Sequence, residues 1–166
     1  MKWLNQKKMN KFIIFLFIYL AGNCFIASAV PINLPVPRFV TIKFNEVNAR
    51  TGPENDCPIE WIYLKKDEPV EVIAEYGKWR KIKDIDGEGG WVHSSVIAGK
   101  RSIIIIGKNP VPILENPSNH NNVKANLLPN LRCNLHKCEK DWCLVTCKNH
   151  KGWVSRKHIW GVYPEE

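Results

Sequence analysis

The chain has 166 residues, and its 24 basic against 16 acidic side chains give a formal charge of +8. Four of those lysines lie in the first eleven residues, and residues 30–103 balance eleven bases with eleven acids. That distribution excludes the strongly basic face a nucleic-acid binder concentrates on one domain. Glycine, proline and asparagine recur every eight to twelve residues, which favours an all-β fold and leaves no room for long amphipathic helices.

In chain order, the first element is an export signal. Lys2, Lys7, Lys8 and Lys11 precede an apolar run from Phe12 to Leu20, and Ala27-Ser28-Ala29 supplies the small-x-small pattern of a cleavage site. The rival is an uncleaved anchor, since Phe12 to Val30 approaches spanning length, but Gly22 and Asn23 interrupt it. A lipid attached at Cys24 would want a small residue before it, where Asn23 stands. Residues 1–29 are therefore expected to be a signal peptide, making the protein periplasmic or secreted, with membrane contact only through this segment before cleavage. Cleavage leaves 20 basic and 16 acidic residues, a net +4. Residues 30–37, with Pro31, Pro35 and Pro37, read as a short extended leader.

The remainder repeats itself. With Trp79 aligned on Trp142, Glu75, Arg80 and Ile82 face Cys138, Cys143 and Val145. Downstream, Gly90-Trp91-Val92 matches Gly152-Trp153-Val154 and Ile97 matches Ile159; upstream, Val47 to Pro53 matches Val111 to Pro117. Repeats of this kind define the architecture before any single element does. In the first unit, Val70 to Ala74 and Trp79 to Ile82 are predicted strands joined by a hairpin at Tyr76-Gly77-Lys78. Gly90 to Val92 follows the turn Asp86 to Gly89, Ser94 to Ile97 reads as one helical turn, and Ser102 to Ile106 as the last strand. Five short strands and a helical turn fit a small barrel, built twice, over 38–103 and 104–166. Trp91 and Trp153, in matching strand positions, are expected to fill the two cores.

Four cysteines crowd the second unit. If Glu139 to Asp141 form a turn, Cys138 and Cys143 lie opposite across a hairpin. Cys133 then meets Cys147 only if one residue bulges between Cys133 and Cys138, because strict alternation would put them on opposite faces. In the first unit the position of Cys138 and Cys143 is held by Glu75 and Arg80, an ion pair in place of a disulfide. The alternative is zinc on the four cysteines with His136 or His150, but only Cys143 and Cys147 approach a knuckle spacing, and export favours oxidation. No metal or cofactor is expected. Cys57 has no partner in its own repeat and is left as a free thiol, an inter-chain link or an exchange partner of the cluster.

The run Val47 to Pro53, then Pro58, Trp61, Pro69 to Val72, Trp79-Arg80 and Gly90 to Val92, resembles the bacterial SH3 domain family. More narrowly, it is similar to small exported proteins of Gram-negative bacteria that carry two such domains. Ala49 departs from the leucine common in that motif, and the second unit has Leu114 and Asn116 where the first has Arg50 and Gly52. The resemblance implies two tandem SH3-like barrels, and a non-catalytic binding protein recognising cell-wall peptide (peptidoglycan) or another extended peptide. The alternative is an envelope adaptor or structural component with no wall binding. Since SH3-type grooves seat extended peptides on aromatic surfaces, Arg50, Trp61, Tyr63 and Tyr76 are the candidate ligand-binding residues. No catalytic constellation emerges: Cys57 with His93 is the only pairing available, and a cysteine nucleophile needs more than that. Asp84, Asp86 and Glu88 lack the remainder of a calcium loop and read as a solvated turn.

Overall fold

Period-two burial organises each half of the chain. In the computed structural model, which describes residues 34–117 and 122–166, strand β4 (Pro69–Tyr76) turns Val70 and Val72 inward and leaves Glu71 half-buried. The expected signal peptide and residues 30–33 of the leader lie outside the described residues. The first sheet adds β1 (Arg38–Ile42), β2 (Val47–Arg50), β3 (Ile59–Tyr63), β5 (Trp79–Lys83), β6 (Gly89–His93) and β7 (Ile97–Ala98). Its order is β3-β2-β6-β5-β4-β1-β7. The second sheet repeats that order with β8 (Ser102–Ile105), β9 (Val111–Leu114), β10 (Val123–Leu127), β11 (Arg132–Glu139), β12 (Trp142–Cys147), β13 (His150–Ser155) and β14 (Ile159–Trp160). Each unit thus has seven strands rather than five. The helical turns are single 3-10 turns at Ser94–Val96 and Arg156–His158.

Two expectations are corrected. The run Ser102 to Ile106 does not close the first unit: β8 pairs with β11 and β14, as β1 pairs with β4 and β7, so it opens the second sheet. Trp91 and Trp153 are half-buried, while Val92 and Val154, their neighbours on the opposite face, are fully enclosed. The interiors are filled by Val and Ile side chains with Tyr63 in the first unit and three cysteines in the second. A close crossing of β2 on β6 fixes the phase. A Cβ on Gly90 would lie 2.6 Å from the Arg50 carbonyl oxygen, and one on Gly152 2.4 Å from that of Leu114. The backbone can approach so closely only at glycine, and the alternation set there sends the indoles outward.

Residues 35–166 form one compact body. β1 and β8 are buried on both faces, and their outer faces meet where the Thr41 and Ser102 hydroxyls bond at 2.9 Å. Phe39 packs between Trp160 (centroids 5.0 Å, edge-on) and Tyr163 (4.7 Å), with the Arg101 guanidinium 5.6 Å over its ring. The Tyr163 hydroxyl donates to Glu71 at 2.6 Å. Burial, then this carboxylate, pushes the phenol above its ordinary value. Arg132 completes the junction with two hydrogen bonds to the Glu68 carboxylate, at 2.8 and 2.7 Å. The repeat differs at most of these positions: Phe39 matches Ser102, Trp160 matches Ala98, and Glu68 matches Leu131 in the aligned registers.

Candidate ligand-binding face

The cysteine hairpin and its counterpart share one local geometry. In the second unit Cys138 faces Cys143 and the register shifts between Leu135 and Lys137, the extra residue that lets Cys133 reach Cys147. Disulfides join Cys138 to Cys143 and Cys133 to Cys147. With both pairs oxidised, no thiolate of the cluster remains for zinc. In the first unit Glu75 faces Arg80 and a matching bulge lies between Val72 and Ala74. The Glu75 carboxylate takes Arg80 Nε at 2.8 Å and Arg38 Nη2 at 2.5 Å. Cys57 is the one free cysteine among the described residues. His93 caps the 3-10 turn, its Nδ1 accepting from the Ser95 amide, and packs edge-on against Trp79.

Strand β3 forms one edge of the first sheet and leaves Ile59, Glu60, Trp61 and Ile62 exposed. An edge strand offers unpaired backbone groups along its open side. Where β3 ends, a cleft of about 250 Å³ opens between Trp61 to Lys65, the β5–β6 turn (Asp84, Ile85, Asp86), Glu68, and Arg132 of the second unit. Trp61, 39% exposed, forms its aromatic wall. Tyr63 is 4% exposed and belongs to the core; its hydroxyl donates to the Glu88 carbonyl at 3.1 Å and ties β3 to the turn. Burial, followed by the charges of Asp84, Glu68 and Glu88, pushes that phenol above its ordinary value. Tyr63 is thus a floor of the cleft.

The other two sequence-predicted residues stand outside this lining. Arg50 donates through Nη1 to the Cys57 carbonyl at 2.7 Å and so shapes the β2–β3 loop. Tyr76, 65% exposed, pairs with Trp79 at the tip of the β4–β5 hairpin, and β4 is three strands from β2. The cleft residues that sequence reasoning missed are Ile62, Leu64 and Lys65 on the β3 side, and Glu68, Ile85 and Arg132. Asp84 and Asp86 were legible only as a turn, and it is one: Asp84 Oδ1 accepts the amides of Asp86 and Glu88, each at 3.0 Å. Burial holds the Asp84 carboxyl above its ordinary value; the turn amides pull it down, and Asp86 and Glu68 push it further up.

A second, larger concavity of about 660 Å³ lies at the end of the second unit, lined by Asp141, Trp142, Ser155, Arg156, Lys157 and Ile159 among others. Arg156 is already committed there: its guanidinium donates to the carbonyls of Lys140, Tyr163 and Glu166 and straps the C-terminal residues in place.

The family model described as the bacterial SH3 domain matches this chain twice, over residues 43–99 and 107–161. No curated protein matches the sequence.

Proposed function

The chain belongs to the bacterial SH3 domain family, and from that premise we propose that it is an exported, non-catalytic binding protein whose first unit holds an extended peptide of the cell wall along β3. Domains of this family commonly serve as binding modules, and this chain keeps two in tandem. The observation that carries the reading is the open edge of β3, with Trp61 and Ile62 exposed beside a cleft about 250 Å³ in volume. An extended peptide added to a sheet edge gains main-chain hydrogen bonds, and pockets for alternate side chains give it specificity. Two disulfides support an oxidising compartment, in keeping with the signal peptide expected over residues 1–29.

The test is sedimentation of the mature protein with isolated peptidoglycan. Wild type is expected in the pellet, and Trp61→Ala, whose side chain lies at the rim, is expected to stay folded and remain soluble. Capture of one envelope protein without pelleting would instead favour an adaptor role.

A further inference from the structure

We infer that Arg132 of the second unit is a specificity-determining residue of the cleft in the first: held in place by Glu68, it donates to a main-chain carbonyl of the extended peptide where β3 ends. The two units then build one peptide site between them, rather than one each. The inference rests on the peptide-binding reading above and names how that site recognises its ligand.

Its first support is where the sheet edge stops. β3 ends at Tyr63, and beyond it the backbone turns away: the Lys66 amide donates to Asn45 Oδ1 at 3.4 Å and the Asp67 amide to the Ile42 carbonyl at 2.9 Å. A peptide laid along β3 therefore loses its ladder donors on reaching the cleft, and a carbonyl left without a donor in a desolvated site is costly. The second support is Arg132, which lines the cleft there. Its Nε and Nη2 donate to Glu68 at 2.8 and 2.7 Å, and its Nη1 to the Asn130 carbonyl at 2.6 Å. A guanidinium has more N–H groups than these bonds use, so donors remain for a ligand. Glu68 is 7% exposed, and its carbonyl accepts the Ile42 amide of β1 at 2.9 Å. Arg132 itself is paired with Ile104 of β8. The donor is thus fixed from both units before any ligand arrives, and such pre-organisation favours binding.

The kind of ligand follows. Glu68 offsets the Arg132 charge, while Lys65, Asp84 and Asp86 place both signs on the rim. The cleft therefore does not select an ion. It offers oriented donors beside the exposed Trp61 and Ile62 side chains, which suits the main chain of an uncharged extended segment. The repeat places this arrangement in the first unit alone. In the aligned registers Leu131 stands where the first unit has Glu68, and Pro69 stands where the second has Arg132. Cys147, closed in a disulfide, takes the position of Asp84. The edge strand β10 therefore lacks the pair that completes the cleft beside β3.

The test measures binding of the mature chain to isolated peptidoglycan as a sedimentation isotherm, with the urea midpoint of each variant read alongside. Glu68→Leu combined with Arg132→Leu removes the donors without leaving a buried charge unpaired. This double variant is expected to keep a midpoint close to wild type and to raise the half-saturating concentration about tenfold, as loss of a charge-assisted hydrogen bond does. Arg132→Lys keeps a cation against Glu68 but not the planar fork, and should weaken binding about threefold. Thr41→Val removes the junction bond to Ser102, away from the cleft; it should lower the midpoint and leave binding unchanged. Wild-type affinity in the double variant, or in Arg132→Lys should the double variant not fold, would overturn the Arg132 assignment and leave the peptide reading standing. A loss of binding in Thr41→Val as large as in the double variant would also overturn it, assigning the pair to the junction alone. No sedimentation of the wild type would overturn both readings.

Discussion

The two units fold the same meander with different fastenings. Where the first sets Glu75 against Arg80 and Arg38, the second sets Cys138 against Cys143. One step further along the hairpin, Val70 and Asp84 of the first unit occupy the aligned positions of Cys133 and Cys147. A position used in the second unit to close a covalent loop is a cleft carboxylate in the first. The second unit is thus fixed internally. The first relies on an ion-pair network and on its junction with the second, and it carries the cleft that opens beside its edge strand β3, the counterpart of the edge strand β10. Two copies of one fold thus differ in how they are fastened, covalently in the second and by ion pairs in the first.

The junction is where the comparison breaks most easily. Phe39→Ala empties the space between Trp160 and Tyr163 and is expected to destabilise the first unit by about 3–5 kcal/mol, as buried aromatic truncations do. Denaturant unfolding should then resolve into two transitions, the first unit melting early; a single unshifted transition would mean that the junction does not support the first unit.

Next in size is the covalent fastening. Replacing Cys133 by Val, the residue of the first unit, and Cys147 by Ala opens a loop with a sequence separation of 14. A loss of about 3 kcal/mol is expected from the second unit, and none from the first. Reduction of the wild type by dithiothreitol should act in the same direction and go further, because it also opens the Cys138–Cys143 bridge that the variant keeps.

A smaller loss tests the counterpart in the first unit. Glu75→Gln removes the charge that both Arg38 and Arg80 approach. These side chains are largely buried, so the expected cost is about 1 kcal/mol, at the upper end of surface ion pairs, read from the urea midpoint. The cost should fall in high salt, as no change at the disulfide would. An equal loss at all ionic strengths would assign the role of Glu75 to packing.

What was legible in the sequence follows the same division. The Trp79–Trp142 alignment exposed the repeat because it lies in local hairpins whose spacing the chain preserves. The bulge before Cys138 was legible because the period-two rule made it necessary for the outer disulfide. The identity of β8 was not: an unbroken run of isoleucines says that a strand is buried on both faces, and only pairing decides which sheet it joins. Trp91 misled because Gly-Trp-Val offers two apolar residues of opposite phase, and the close crossing at Gly90 that chooses between them is a tertiary contact. The Glu68–Arg132 pair spans 64 residues and two units, so no local pattern announces it. The cleft was half legible for the same reason, its β3 wall being local and its far wall assembled by docking.

The smallest expected effect is the most discriminating. Asp84 has a carboxyl held above its ordinary value chiefly by burial, so the native state binds a proton more readily than the unfolded chain. Between the unfolded and folded values the native state then holds more protons, and stability falls as pH rises through that window. Asp84→Asn removes the penalty while its side-chain oxygen keeps accepting from Asp86 and Glu88. The variant is therefore expected to be slightly more stable than wild type at neutral pH, and to lose that advantage on acidification through the carboxylate range. Paired urea titrations at the two pH values read the difference. Equal stability at both would mean that solvent already relieves the charge. A gain at neutral pH that disappears on acidification would mark Asp84 as a residue whose charge the fold keeps at a cost to stability.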